Sequence, residues 1–361
     1  MNVLFFTKYS ALGGSSKHMV YSYLEYFQRE GIHCTIAPLF DDFYFTFRDL
    51  ATPATVGEIV KHGGYFSRRI IERISNTLQG NQFDVVVVEK ELIPYFPFGL
   101  EILLRRHQPK MVSLFDDAVH VHYRNHPWRI VRVLCQKKIQ HVVEISTHVI
   151  TWNRTLAEYA RQFNPHVTTV DTAIDLRRYH CKTAEANPNR RVVIGWIGTP
   201  NSFRYLSGLE HVFQILSDRY DVELRVISSS AFRSGNIPVS NRKWSLETEV
   251  NDLCSCDIGI MPLVDDEWTR GKSAYKLVQY MGVGLPTVSS PVGVNIEMIS
   301  DGVNGFLADT TESWIEKLSL LIENPDLRRQ QGSAGRGLVE KKYSIQSVAP
   351  RLIQVLKGLE C

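Results

Sequence analysis

The sequence predicts an α/β protein built from two Rossmann-like, doubly wound domains that face each other across a cleft. Three observations carry this reading. The chain is 361 residues long, more than one hydrophobic core comfortably organises, so two units are expected. Short β-branched runs alternate with longer segments of helical period, the pattern of parallel sheets covered by helices. The alternation then restarts after a polar stretch at 181–190.

In the first half the strand candidates are residues 3–6, 34–38, 84–88, 111–115, 148–151 and 168–170, with helical segments such as 16–30 and 128–146 between them. In the second half they are 192–197, 223–227, 258–261 and 286–289. The division this suggests is 1–178 for a first domain and 179–345 for a second. Doubly wound sheets take ligands at the carboxyl ends of their strands, so the cleft between two of them is the expected site.

Composition narrows the alternatives. No apolar run reaches the roughly 18–20 residues of a membrane span, and Met1 to Phe6 carries no basic segment, so the start reads as a first strand and not as a signal peptide. Six cysteines are scattered, and the close pair Cys254 and Cys256 has no second pair at zinc-site spacing, which suits reduced thiols. A net charge of +3 without a long basic run argues against nucleic acid as a partner. The first 170 residues hold about four more basic than acidic groups, a hint of an anionic surface nearby.

Three segments carry chemistry. After the first strand come Gly13 and Gly14, with Lys17 at the start of a helix. Glycines there let backbone approach a ligand and a helix N-terminus favours an anion, although a plain structural turn has the same residues. The second segment runs from Gly271 through Lys272, Ser273, Ala274, Tyr275 and Lys276 to Gln279, followed by Gly284-Leu285-Pro286, a strand, and Asp301-Gly302-Val303-Asn304-Gly305. Gly271 and Ser273 suit a helix start, and Lys272, Lys276 and Gln279 would then share one face. A solvated basic face is the plainer account of two lysines. The third is Asp116-Asp117 at the end of a strand, which fits a hydrogen-bonding carboxylate, a turn cap or a metal ligand. His120, His122 and His126 follow; without a matching cluster elsewhere they suit substrate lining more than zinc. Residues 128–138 interleave basic and apolar groups, which fits a Rossmann helix with one wet face or a helix lying on an anionic membrane.

The ordered succession from 268 to 305 resembles the C-terminal half of the retaining family-4 glycosyltransferases (glycosyl transferases group 1), proteins of the GT-B fold. Gly13-Gly14 with the following helix, the segment 170–179, and Tyr343-Ser344 before an apolar helix resemble the same family's other landmarks, so the resemblance covers nearly the whole chain. It implies that residues 346–361 form a helix crossing back to the first domain. It also implies a nucleotide-sugar donor in the second domain and an acceptor in the first, with no metal or other cofactor. Asp116, Arg204 and Lys276 are the catalytic candidates this suggests. Gly198, Thr199, Lys272, Ser273, Ala274, Tyr275 and Gln279 are the donor-binding candidates, and Gly13, Gly14 and Lys17 form an acceptor or phosphate loop.

Three of the family's positions change chemistry here, and a fourth, Arg204, keeps a cation. Its two donor-side glutamates correspond to Gly271 and Gln279, and its phosphate-binding arginine and lysine to Thr199 and Arg204. Asp265, Asp266 or Glu267 are candidates to reach the sugar in place of the first glutamate, and Lys272 and Lys276 to supply the missing cation. The resemblance implies a cytoplasmic enzyme, peripheral at a membrane, that acts on a glycan or lipid-linked acceptor of a bacterial surface polysaccharide or glycolipid. The alternatives are a non-catalytic homologue that keeps the nucleotide site as a partner subunit, and another nucleotide-sugar enzyme such as an epimerase.

Overall fold

The structure is a computed structural model and describes residues 1–47, 57, 61–108, 110–181 and 191–359. Beyond Cys181, the polar stretch read at 181–190 lies outside the described residues, as does Cys361. Two six-stranded sheets form, each with every pairing parallel.

The first sheet contains β1 (Asn2–Tyr9), β2 (His33–Phe40), β3 (Val85–Glu89), β4 (Met111–Phe115), β5 (His148–Thr151) and β6 (Val167–Thr169), in the order β2-β1-β3-β4-β5-β6. The second contains β7 (Val192–Ile197), β8 (Val222–Ser228), β9 (Val239–Lys243), β10 (Ile258–Met261), β11 (Thr287–Ser289) and β12 (Phe306–Leu307), in the order β12-β11-β10-β7-β8-β9. Their central strands are continuous apolar runs because helices cover both faces; β3 and β4 are buried at every position. Each sheet reverses its winding once, between β1 and β3 and between β7 and β10, which opens a crevice at the carboxyl ends of those strands.

Two helices expected as single pieces are broken. The segment read at 16–30 is Gly14–Met19, a 3-10 turn Tyr21–Tyr23, and Leu24–Arg29. The break falls at Val20, which leaves the helical region (φ −129°, ψ −62°), and Met19, Val20 and Tyr23 around it are all buried. The segment read at 128–146 divides into Arg129–Cys135 and Lys138–Ile145. β9 and β12 were not anticipated; both are short or polar edge strands without an apolar alternation.

The last helix, Ile345–Lys357, packs on the first sheet. Ile345, Val348, Ala349, Leu352, Ile353 and Leu356 join the core of Phe5, Met19, Phe27 and Ile150. Each large apolar side chain so buried contributes about 1.5–3 kcal/mol. The helix enters beside Ile174, whose N–H donates to Tyr343 O and whose O accepts from Ile345 N, so both chain crossings between the sheets are joined at one point.

Candidate active site

On the second domain, the site begins where β7 ends. Trp196 is buried within that strand, and Gly198 follows it. A Cβ at Gly198 would lie 2.6 Å from Lys276 Nζ and 2.7 Å from the Trp196 ring, so only glycine leaves room for the lysine. Lys276 lies in the first turn of the helix Tyr275–Gly282, half-buried, with its ammonium 4.0 Å from the Trp196 ring centre. No carboxylate pairs with it among the described residues. Burial and the like charge of Lys272 hold its pKa well below the ordinary lysine value.

The helix opens differently from expectation. Its cap is Ala274, in a left-handed conformation (φ 53°), so Gly271, Lys272 and Ser273 form a loop before it. Lys272 therefore does not share a helix face with Lys276; its ammonium lies 5.3 Å from the Trp268 ring centre and 3.9 Å from Asp117 Oδ1. Ser273 is buried and its carbonyl accepts from Thr172 Oγ1 at 2.6 Å. Tyr275 meets the His18 ring of the first domain at 5.1 Å. Gln279 is buried away from the loop and donates to Tyr179 Oη at 2.9 Å, which in turn donates to Glu249 Oε1 at 2.7 Å. Thr199 is exposed beyond β7, and Arg204 is exposed on the short helix Phe203–Ser207, donating to Tyr205 Oη at 2.7 Å. Trp244, directly after the edge strand β9, donates through Nε1 to Glu249 Oε2 at 2.7 Å.

On the first domain, the crevice between β1 and β3 is lined with charge. Gly13 is demanded by packing, since a Cβ would lie 2.3 Å from Tyr9 Cβ, whereas Gly14 faces open space. Glu89, buried at the end of β3, accepts from Lys8 N, Ser15 Oγ and Ser16 Oγ at 2.9, 2.8 and 2.6 Å, which ties the Gly-Gly loop to the sheet. The next residue, Lys90, is buried in a left-handed conformation (φ 61°). Its ammonium is 2.6 Å from Asp116 Oδ1, 3.5 Å from Asp117 Oδ2 and 3.2 Å from Ser15 Oγ. Asp116 is buried and also faces His18 Nε2 at 3.5 Å. Burial would raise its pKa, but the Lys90 ammonium, with His18 beside it, outweighs that and holds the carboxyl below the usual aspartate range. Burial lowers the Lys90 pKa, and Asp116, Asp117 and Glu89 together raise it above the ordinary lysine value. The Asp-Asp pair is thus matched to ammonium groups.

The two halves touch. Lys17 pairs with the buried Glu249 at 3.3 Å instead of facing open solvent, and Arg178 reaches the same carboxylate at 3.2 Å. Gly271 lies against Ala118, where an added Cβ would approach Ala118 Cβ to 2.6 Å, and its carbonyl accepts from Asn153 Nδ2 at 2.7 Å. The three acids considered as substitutes for the family's first glutamate have other partners. Asp265 pairs with Arg270 at 2.6 Å, Asp266 caps the helix Glu267–Arg270 through Thr269 N, and Glu267 pairs with Arg124.

The histidine segment is a helix, Val119–Arg124, so His120 and His122 point different ways. His120 stacks on Tyr159 at 3.7 Å and burial pushes its pKa down to about 4. His122 meets Tyr95 instead. Sequence reasoning missed Glu89, Lys90, His18 and Glu249. The signal for Lys90 was present, a charged triplet Glu89-Lys90-Glu91 directly after a wholly apolar strand; Glu249 had none.

Residues 193–324 match the family described as glycosyl transferases group 1. The second domain is a group 1 glycosyltransferase domain. The GDP-mannose-dependent monoacylated alpha-(1-6)-phosphatidylinositol monomannoside mannosyltransferase of Corynebacterium glutamicum is 23% identical over 256 residues, which is 62% of this chain and 64% of that protein. The chain therefore matches just under two thirds of that relative's length. Sucrose-phosphate synthase from Thermosynechococcus elongatus superposes with a TM-score of 0.73 at 11% identity, covering 99% of both chains. Anabaena HepE in complex with UDP and glucose superposes with a TM-score of 0.70 at 11% identity, covering 99% of this chain and 100% of that one. WaaG, a glycosyltransferase involved in lipopolysaccharide biosynthesis, gives 0.67 at 13% identity, again over 99% and 100%. At these identities the likeness speaks for the fold, which is GT-B. Within the group 1 domain, Lys276 and Gly198 meet at the winding reversal between β7 and β10, where such a sheet takes its ligand.

Proposed function

We propose that this protein is a retaining glycosyltransferase whose group 1 domain holds a nucleotide sugar and whose first domain presents an acceptor hydroxyl. The observation that carries the reading is the Lys276 ammonium, placed over Trp196 beside Gly198 with no paired carboxylate among the described residues. A diphosphate is the natural partner for a half-buried cation next to a helix start. Lys272, on the loop before that helix, is assigned the second charge on the leaving diphosphate, and Arg204 an outer contact. Ser273, Ala274 and Tyr275 contribute backbone at the same turn. Thr199 lines the loop after β7. Gln279 is proposed to act indirectly, by fixing Tyr179.

In this reading the bond from the sugar's anomeric carbon to the phosphate oxygen breaks as the acceptor oxygen attacks from the same face, and the departing phosphate oxygen takes the acceptor's proton. Retention then needs no protein nucleophile. The protein's part is to stabilise charge on the diphosphate and on an oxocarbenium-like sugar, which is work for cations and fixed dipoles. Asp116, held ionised by Lys90, accepts a hydrogen bond from the donor sugar or acceptor. No metal is assigned to the reaction.

The acceptor we propose is lipid-linked, as in the synthesis of a bacterial surface polysaccharide or glycolipid, approached from the inner face of a membrane. Among the described residues no helix is long and apolar enough to cross a membrane. Instead the helix Arg129–Cys135 turns apolar groups outward. Trp128, Ile130 and Val133 are 69%, 61% and 62% exposed, with Arg129 and Lys137 exposed beside them. A Rossmann helix with a wet polar face does not account for that, and basic groups around an apolar patch suit an anionic lipid surface. Lys138 is the exception, buried in pairs with Glu91 and Glu101.

Thermal titration with UDP, GDP, ADP, CDP and dTDP, with and without EDTA, tests the donor site. One selective diphosphate that raises the midpoint equally in EDTA is the expected result. Selective binding without sugar transfer would instead favour a non-catalytic partner subunit, the reading to which Gly271 packed on Ala118 and Gln279 engaged by Tyr179 lend weight. Stabilisation by none of the five would overturn the donor site.

A further inference from the structure

Among the described residues, three that are not glycine have left-handed backbones, and all lie on loops of the cleft: Lys90, Tyr95 (φ 61°) and Ala274. Such a conformation costs on the order of 1–3 kcal/mol and persists only where the surroundings enforce it. Around Tyr95 they do. Glu91 is pinned by Tyr123 Oη at 2.7 Å and by Lys138 Nζ at 2.8 Å, Leu92 N donates to Glu101, and Ile93 O accepts from Lys138. Tyr95 N donates to Tyr123 Oη at 3.0 Å.

The result is a bulky ring held half exposed at the rim of the cleft. Tyr95 Oη lies 3.0 Å from His122 Nε2, and His126 meets the ring at 5.6 Å. Across the cleft His122 faces Trp268 of the second domain at 6.3 Å. Tyr95 lies on the same loop after β3 as Lys90, whose ammonium pairs with Asp116, so the shelf and the Asp116 network share that loop. On its outer side His126 meets Trp128 at 5.8 Å, where the exposed apolar helix begins.

We infer that Tyr95 and His122 form a subsite that stacks a pyranose ring of the acceptor, between the catalytic network and the surface assigned to the lipid. The inference rests on the first domain receiving the acceptor. A sugar's C–H face complements the electron-rich face of an aromatic ring, while its hydroxyl edge needs neutral donors and acceptors beside that ring. Tyr95 Oη and the His122 ring supply these. Burial, with His126 and Lys8 nearby, lowers the His122 pKa below the ordinary histidine value. The order shelf, Trp128, apolar helix matches a molecule with a sugar head and an apolar tail.

The test is saturation-transfer NMR on the full chain with methyl α-D-glucopyranoside, galactopyranoside and mannopyranoside as probes. Tyr95→Phe keeps the ring; Tyr95→Gly removes it and suits the left-handed backbone. At least one glycoside should receive saturation, within about twofold in Tyr95→Phe and reduced at least about fivefold in Tyr95→Gly. Saturation of no glycoside, or equal saturation in Tyr95→Gly, would overturn the subsite. Thermal titration of the same samples with nucleoside diphosphates reads the donor site separately. Loss of that signal alone sinks the proposed function and leaves the shelf standing.

Discussion

Lys276 Nζ lies 4.0 Å from the centre of the Trp196 ring, and no carboxylate among the described residues pairs with it. A lysine whose folded pKa is depressed destabilises the fold below that pKa, and the penalty disappears as pH rises toward the unfolded value. Lys276→Met should therefore hold or raise the thermal midpoint of the free protein at neutral pH. The same variant should weaken nucleoside diphosphate binding about tenfold to a hundredfold, with nucleoside binding changed much less. Equal losses for nucleoside and diphosphate would refute the phosphate assignment.

Diphosphate binding should also take up a proton on the alkaline side of the depressed Lys276 pKa, because the bound anion restores the ammonium. Calorimetry in two buffers of different ionisation enthalpy measures that uptake directly. Affinity should fall as pH rises through the same window, and Lys276→Met should abolish the proton uptake.

Asp116 and Lys90 sit 2.6 Å apart in a buried network. Asp116→Asn is expected to cut turnover with little effect on donor binding. Stability should fall by up to about 3 kcal/mol, since Lys90 loses its nearest counter-charge. Adding Lys90→Met should recover part of that loss, a coupling that chemical denaturation of the two single variants and the double variant reads out. Because the Asp116 pKa is depressed, its stabilising contribution is present above the unfolded aspartate value and lost as pH falls through the folded one.

Gly271 has no room for a side chain against Ala118. Gly271→Ala should lower transfer and expand the particle measured by small-angle scattering, as the domains part. Ala118→Gly in the same chain should restore both. Wild-type scattering and activity for Gly271→Ala alone would show that the contact is not limiting.

Trp128 and Ile130 form the apolar edge assigned to the membrane. Trp128→Ser with Ile130→Ser should reduce sedimentation with phosphatidylglycerol vesicles at least about tenfold. Thermal stability should stay within the small change usual for surface sites, because both residues are exposed. Binding to phosphatidylcholine vesicles should be weaker and less salt-dependent.

The sequence by itself determined the two parallel α/β sheets, since β-branched runs such as 85–88 and 192–197 and the helical periods between them are local patterns. It also brought Gly13-Gly14 and Asp116 to notice after strands and Lys276 at an expected helix start, while Gly198 came to notice through the family resemblance. What it did not determine is which charges meet. Lys17 looked like a free cation at a phosphate loop and instead pairs with Glu249, 232 positions away. Gln279 looked available to the donor and is bound by Tyr179, 100 positions away. Gly271 looked like a lost glutamate and is a close contact with Ala118. The kink at Val20, the outward turn of Trp128 and Ile130, and the strained backbones of Lys90 and Tyr95 were equally invisible. Helix and strand patterns are set by neighbours along the chain, whereas ion pairs, close contacts and enforced backbone strain depend on segments that only tertiary packing brings within a few ångströms.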